Sequence, residues 1–182
     1  MEEAIIKNCA PVLGGLKTGS LFCCRKDKNI LKKQVDDLNR RLSKKGVSVF
    51  ILKTTPDFSL VYVCRKTKLE KDTEGFEVRS FLRKIGYVSF TFEALLETLF
   101  RRFSQDLTFP HEIGLFLGYP LEDVIGFIKN KGDNFKICGY WKVYNDEKYA
   151  EILFGRFSKC TEVYTRLFLS GSKRIEQLTV SV

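Results

Sequence analysis

The chain is 182 residues long, 44% hydrophobic and 29% charged, with a formal net charge of +9. This usage excludes a disordered, collagen-like or low-complexity protein, and the length favours one domain that can bury a core without staples. The longest apolar runs, around Val47–Leu52 and Leu60–Cys64, are too short to span a bilayer.

The positive charge is concentrated near the start. Between Lys7 and Lys53 twelve basic residues face only Asp27, Asp36 and Asp37. Such a face attracts nucleic acid, anionic lipid or an acidic protein; a solvated helix face is the plainer reading. The opening Met1-Glu2-Glu3-Ala4 has no apolar segment of an export signal, so a cytoplasmic protein with reduced thiols is expected. The six cysteines show no C-x-x-C and no zinc-ribbon spacing. Most should be small buried hydrophobes. Cys23 and Cys24, adjacent in a strand, should point to opposite faces.

In chain order, Ser20–Arg25 reads as a strand. Asp27 can cap a helix running to about Lys45, with Leu31, Val35, Leu38 and Leu42 on one stripe, and Gly46 is suited to a left-handed stop. Val47–Lys53 and Phe58–Arg65 read as strands joined by a turn at Thr54-Thr55-Pro56-Asp57. Both faces of these strands are largely apolar, so helices should cover the sheet. Lys66–Thr73 is expected to be an exposed connection. Helices are then expected over Glu74–Ile85, Phe92–Phe103 (Leu95, Leu96, Leu99 and Phe103 inward), Pro110–Leu117, Leu121–Asn130 and Asp146–Leu169. Strands first and helices later predict an α+β fold. It would be a single domain over residues 1–182, with a small antiparallel sheet of about three strands within residues 1–66 and a mostly helical part over 67–182.

Four segments carry candidate chemistry. Gly14-Gly15-Leu16-Lys17-Thr18-Gly19-Ser20 has the composition of a phosphate-cradling loop, but Ser20 stands where that loop needs lysine and the strand follows it. A glycine turn is the plainer reading, with Lys17 as a ligand-facing cation the sharper one. Residues 112–130 have the spacing of a helix-turn-helix, with Val124 and Ile128 inward. The second helix opens with Leu121, Glu122 and Asp123, whose carboxylates would repel phosphate, so DNA reading is disfavoured. His111, the only histidine, beside Glu112, can be a ligand, a base or a structural residue. A cysteine folded against it, Cys9 or Cys160 foremost and Cys138 also, would make a thiolate–imidazole pair. Gly139-Tyr140-Trp141-Lys142-Val143-Tyr144 holds the only tryptophan; such a cluster is either a stacking platform or a core anchor.

The run Pro110-His111-Glu112-Ile113-Gly114, then Phe116 to Val124, then Gly126-Phe127-Ile128, resembles the bacterial "domain of unknown function 3793" family. So do Gly139 to Tyr144, the opening Cys9-Ala10-Pro11 with Gly15-Leu16-Lys17 and Ser20-Leu21-Phe22, and the closing Lys159-Cys160 and Leu178-Thr179-Val180. The resemblance covers nearly the whole chain. It implies signature residues at Cys9, Lys17, His111, Glu112, Tyr140, Trp141 and Lys142, and no assigned activity. The family pattern often places a cysteine where Phe135 stands here, a departure that speaks against a shared metal site around Cys138.

The expected function is therefore a binding or adaptor domain for a small molecule or a protein partner. Lys17 and Lys142 would meet an anionic group, Tyr140 and Trp141 would stack, and His111 with Glu112 would set a polar contact. The alternatives are an enzyme or a redox- or metal-linked protein using Cys9 or Cys160 with His111, and a nucleic-acid binder through residues 112–130 or the basic N-terminal region. Cofactor and metal are left open.

Overall fold

A computed structural model describes residues 1–105 and 108–181. The strands β1 (Gly19–Cys24), β2 (Val47–Thr54) and β3 (Ser59–Arg65) form an antiparallel sheet in the order β1-β3-β2. The central β3 is buried along its whole length. Alternation sends its side chains to two different cores. Val61 and Val63 point to one side, with Phe22, Cys24, Val47 and Val49 from the neighbouring strands. Leu60, Tyr62 and Cys64 point to the other.

The first side is closed by α1 (Glu2–Leu13), α2 (Lys28–Leu42) and α9 (Ile175–Leu178). The expected α2 stripe of Leu31, Val35, Leu38 and Leu42 is fully buried there. Asp27 caps α2, its Oδ1 accepting from the N–H groups of Asn29 at 2.9 Å and Ile30 at 3.1 Å. Gly46 takes φ 75°, the left-handed stop that lets the chain turn straight into β2.

The second side is covered by α3 (Lys66–Asp72), α4 (Phe76–Lys84), α5 (Phe92–Gln105), α6 (Ile113–Phe116) and α7 (Leu121–Lys129). All four residues expected inward on α5 are buried. A third, aromatic cluster forms where the hairpin β4 (Ile137–Cys138) and β5 (Lys142–Val143) meets α8 (Glu147–Leu169). Together these elements make an α+β fold with a three-stranded antiparallel sheet and a mostly helical C-terminal half. Among the described residues no helix is long and apolar enough to cross a membrane.

Several elements depart from the sequence reading. Lys66–Thr73 is not an exposed connection: it folds as α3, because Leu69 and Thr73 drop into the second core. The helix α1 was not among the expected elements; Pro11 stands in its last turn, so the N–H that proline lacks interrupts only the end of the helix. The β4–β5 hairpin, with only two residues per strand, is too short to leave a period in the sequence. On α7 the buried face carries Asp123, Val124 and Phe127, and Ile128, expected inward, is 41% exposed.

Arg65 ends β3 on the first side of the sheet and is only 1% exposed. Its guanidinium donates to the carbonyls of Val12 at 2.5 Å, Leu13 at 2.6 Å, Val180 at 2.8 Å and Lys45 at 3.0 Å. Two of these are carbonyls at the C-terminal end of α1, where the helix dipole favours a cation. One side chain thus ties α1, β3, the turn before β2 and the C-terminal segment together. Lys45 adds to it, its ammonium reaching the carbonyls of Glu176 at 2.6 Å and Thr179 at 2.8 Å.

Candidate functional site

Asp123 organises the C-terminal lobe. It sits in the first turn of α7, buried, and accepts three hydrogen bonds. Oδ2 takes the Trp141 indole N–H at 2.7 Å, and Oδ1 takes the backbone N–H groups of Tyr144 at 2.7 Å and Asn145 at 2.9 Å. Hydrogen bonds to a buried carboxylate are the strong kind, and this one also lies at the positive end of a helix. It draws the β4–β5 hairpin onto α7. Two glycines let the surfaces meet. A Cβ on Gly126 would lie 2.5 Å from the Tyr144 ring, and one on Gly139 would overlap the Phe154 ring.

The docked hairpin roofs a cavity of about 360 Å³ between α6, α7 and the residues before α6. Its walls include Phe109, His111, Tyr119, Phe127, Trp141 and Lys142. The rings are arranged by contact with one another. Tyr119 stacks on Trp141 with centroids 4.8 Å apart and planes at 25°. Phe154 meets the other part of the indole edge-on at 4.6 Å. His111 lies between Phe109 at 5.8 Å and Phe127 at 5.0 Å. These separations are those of favourable aromatic pairs. Cys138 and Tyr140 also line the space.

The Lys142 ammonium lies 4.8 Å from the Phe135 ring centroid and 6.0 Å from that of Phe127, and it donates to the Gly132 carbonyl at 2.7 Å. The cation is thereby fixed at the cavity wall by one hydrogen bond and two ring faces. Phe135 is part of this support.

Of the residues singled out from the sequence, His111, Tyr140, Trp141 and Lys142 come together around this cavity, and Lys17 and Glu112 do not line it. Glu112 is buried and holds the neighbouring elements in place. It accepts from Arg102 Nε and, at 3.3 Å, from the Tyr87 hydroxyl. It therefore anchors the segment that presents His111.

Lys17 is 5% exposed and lies 5.1 Å from the Tyr119 ring centroid, while its ammonium donates to the Gly19 carbonyl. Burial lowers its amine to about 7, partly offset by the nearby Cys9. Lys17 thus supports the Tyr119 wall from outside the cavity. The same loop is held by Thr18, whose hydroxyl donates to Asp72; burial raises the Asp72 carboxyl.

The two thiols expected to be reactive sit away from this cavity's walls. Cys9 is fully buried in the first core, and desolvation pushes its thiol far up. Cys160, on α8 against Gly14, is shifted the same way by the same cause. A thiolate nucleophile needs the opposite shift. The cysteine that shares the cavity with His111 is Cys138, which is exposed. Among the described residues no group of three or more His, Cys, Asp or Glu side chains is arranged to hold a metal ion.

Tyr119, Phe127, Phe109 and Asp123 were not singled out from the sequence. Asp123 and Phe127 are four residues apart on α7 and so share a face, which is the one signal that could have paired them. Glu122 and Asp123 read alike as acids in a first helical turn; only Asp123 turns inward.

The architecture is that of a small α+β domain with an aromatic cavity beside the sheet. The model of the family "Protein of unknown function (DUF3793)" matches residues 5–179, and the chain belongs to that family. No curated protein and no solved structure matches it.

Proposed function

We propose that this chain is a binding domain for a planar, largely apolar small molecule held in the cavity beneath the β4–β5 hairpin. The observation that carries the reading is the wall itself: five aromatic side chains and the His111 ring line one space of about 360 Å³. That volume lies within the range of small-ligand sites, and an aromatic lining with few polar groups is their usual chemistry. The rings are also held by Asp123, Gly126 and Gly139, so the shape is preformed and little ordering is needed on binding.

The test uses the chain's only tryptophan as a reporter. Titration with 2-naphthamide, a neutral planar probe, should quench Trp141 fluorescence saturably with one molecule per chain. Cys138→Phe, which fills the space from an exposed wall position, should abolish the response. Fluorescence that is identical in Cys138→Phe, or that stays unchanged at millimolar concentrations of both 2-naphthamide and its carboxylate analogue 2-naphthoate, would show that the cavity is not a binding site.

A further inference from the structure

The polar groups on the cavity wall are not balanced between donors and acceptors. Asp123 is the one carboxylate there among the described residues, and its two oxygens already accept three N–H bonds. It has little left to offer a ligand donor. The donors are in the opposite condition. Lys142 carries three ammonium protons and spends one on Gly132. His111 makes ring contacts with Phe109 and Phe127, and no hydrogen bond to either ring nitrogen occurs among the described residues. Among the described residues Lys142 is also the only lysine or arginine on the wall; Lys17 lies against the Tyr119 ring and does not line it.

Resting on the binding reading above, the geometry points to a planar aromatic monoanion as the ligand class. Its ring system lies among Tyr119, Phe127 and Trp141. Its anionic oxygens take the free protons of Lys142, with the His111 ring beside them. Charge-assisted hydrogen bonds to a fixed ammonium are about twice as strong as neutral ones, and an aromatic, water-poor wall strengthens them further. A cationic ligand has no free carboxylate to meet and would face Lys142. A dianion such as a phosphate monoester finds one cation for two charges and, close by, the negative charge of Asp123. Nucleotides and other polyanions are therefore excluded from the class.

Three probes with one ring system separate the possibilities: 2-naphthoate, 2-naphthamide and 2-naphthyl phosphate, each titrated against Trp141 fluorescence. The expected order places naphthoate about tenfold or more tighter than the amide, with the phosphate no tighter than naphthoate. Lys142→Met should remove the preference, bringing naphthoate to the affinity that the same variant shows for the amide, and a cooperative urea transition shows that the variant is folded. Lys142→Arg should restore most of the preference. An amide as tight as naphthoate, or a phosphate tighter than both, overturns the ligand class while the binding reading stands. Failure of all three probes to reach Trp141 overturns both.

Discussion

The two ends of this molecule treat buried polar groups in opposite ways. Around Arg65, in the aliphatic core on the first side of the sheet, a buried cation meets four backbone carbonyls from three separate segments. Its donors are spent on the fold, and the core on that side of the sheet is built largely of Val, Leu and Ile side chains. Around Lys142 the cation is held by one carbonyl and two ring faces, its neighbours are aromatic, and a cavity opens in front of it. Both residues are basic, and composition does not separate them. What separates them is whether the protein itself uses up their hydrogen-bonding capacity. Saturated donors mark architecture, and unspent donors facing a concave aromatic wall mark a place for something else.

The contrast can be broken first at its structural end. Arg65→Met should destabilise the fold by about 3 kcal/mol or more, since four buried carbonyls lose their donor; urea denaturation measures it. A loss below about 1 kcal/mol would mean that the four contacts are not what closes the first core.

At the other end, Asp123→Ala should cost about 2 kcal/mol, the order expected for hydrogen bonds to a charged group. It should also release the hairpin, seen as a red shift of Trp141 emission as the indole leaves its 7% exposed position. Unchanged emission would show that aromatic stacking alone seats the hairpin.

Lys17 sharpens the comparison, being a buried cation behind the cavity with a single hydrogen bond. Burial holds its folded-state amine near 7, whereas an unfolded lysine titrates at about 10.4. Between those values the unfolded chain binds more protons, so stability rises as pH increases. The thiols of Cys9 and Cys64, both pushed up by burial, act the other way above about pH 8.5, where unfolded cysteine loses its proton. From pH 7 to 8.5 the net gain, after the early loss from the two thiols is taken off, should be about 1 kcal/mol. Lys17→Met should flatten that slope, and a slope that survives the substitution would place its origin elsewhere. The smallest effect concerns Cys138: probe binding should slow its alkylation by iodoacetamide several-fold and leave Cys23, exposed on β1, unaffected.

The sheet and its helices were legible because their signals are local and repeated. Asp27, the α2 stripe and Gly46 each announce themselves within a few residues, and all three behave as the sequence implies. The sequence also singled out His111 and Tyr140 to Lys142, through unusual residue types beside glycine. It could not reveal that Lys17 and Glu112 are drawn inward, because burial of a charge depends on partners outside its own segment: Tyr119 for the one, Tyr87 and Arg102 for the other. Asp123 was hidden for the same reason. An acid in a first helical turn already has a local explanation, and its real partners lie eighteen or more residues away.

A single spectrum tests the central claim. The chain has one tryptophan, so a ¹⁵N–¹H correlation spectrum contains one indole N–H peak, that of Trp141 bonded to Asp123. Addition of 2-naphthoate should shift this peak together with the amides of Gly139, Tyr140 and Lys142, and leave Gly46 and the α2 amides in place. An indole peak that does not move, with shifts confined to α2 or the sheet, would contradict a ligand site beneath the hairpin.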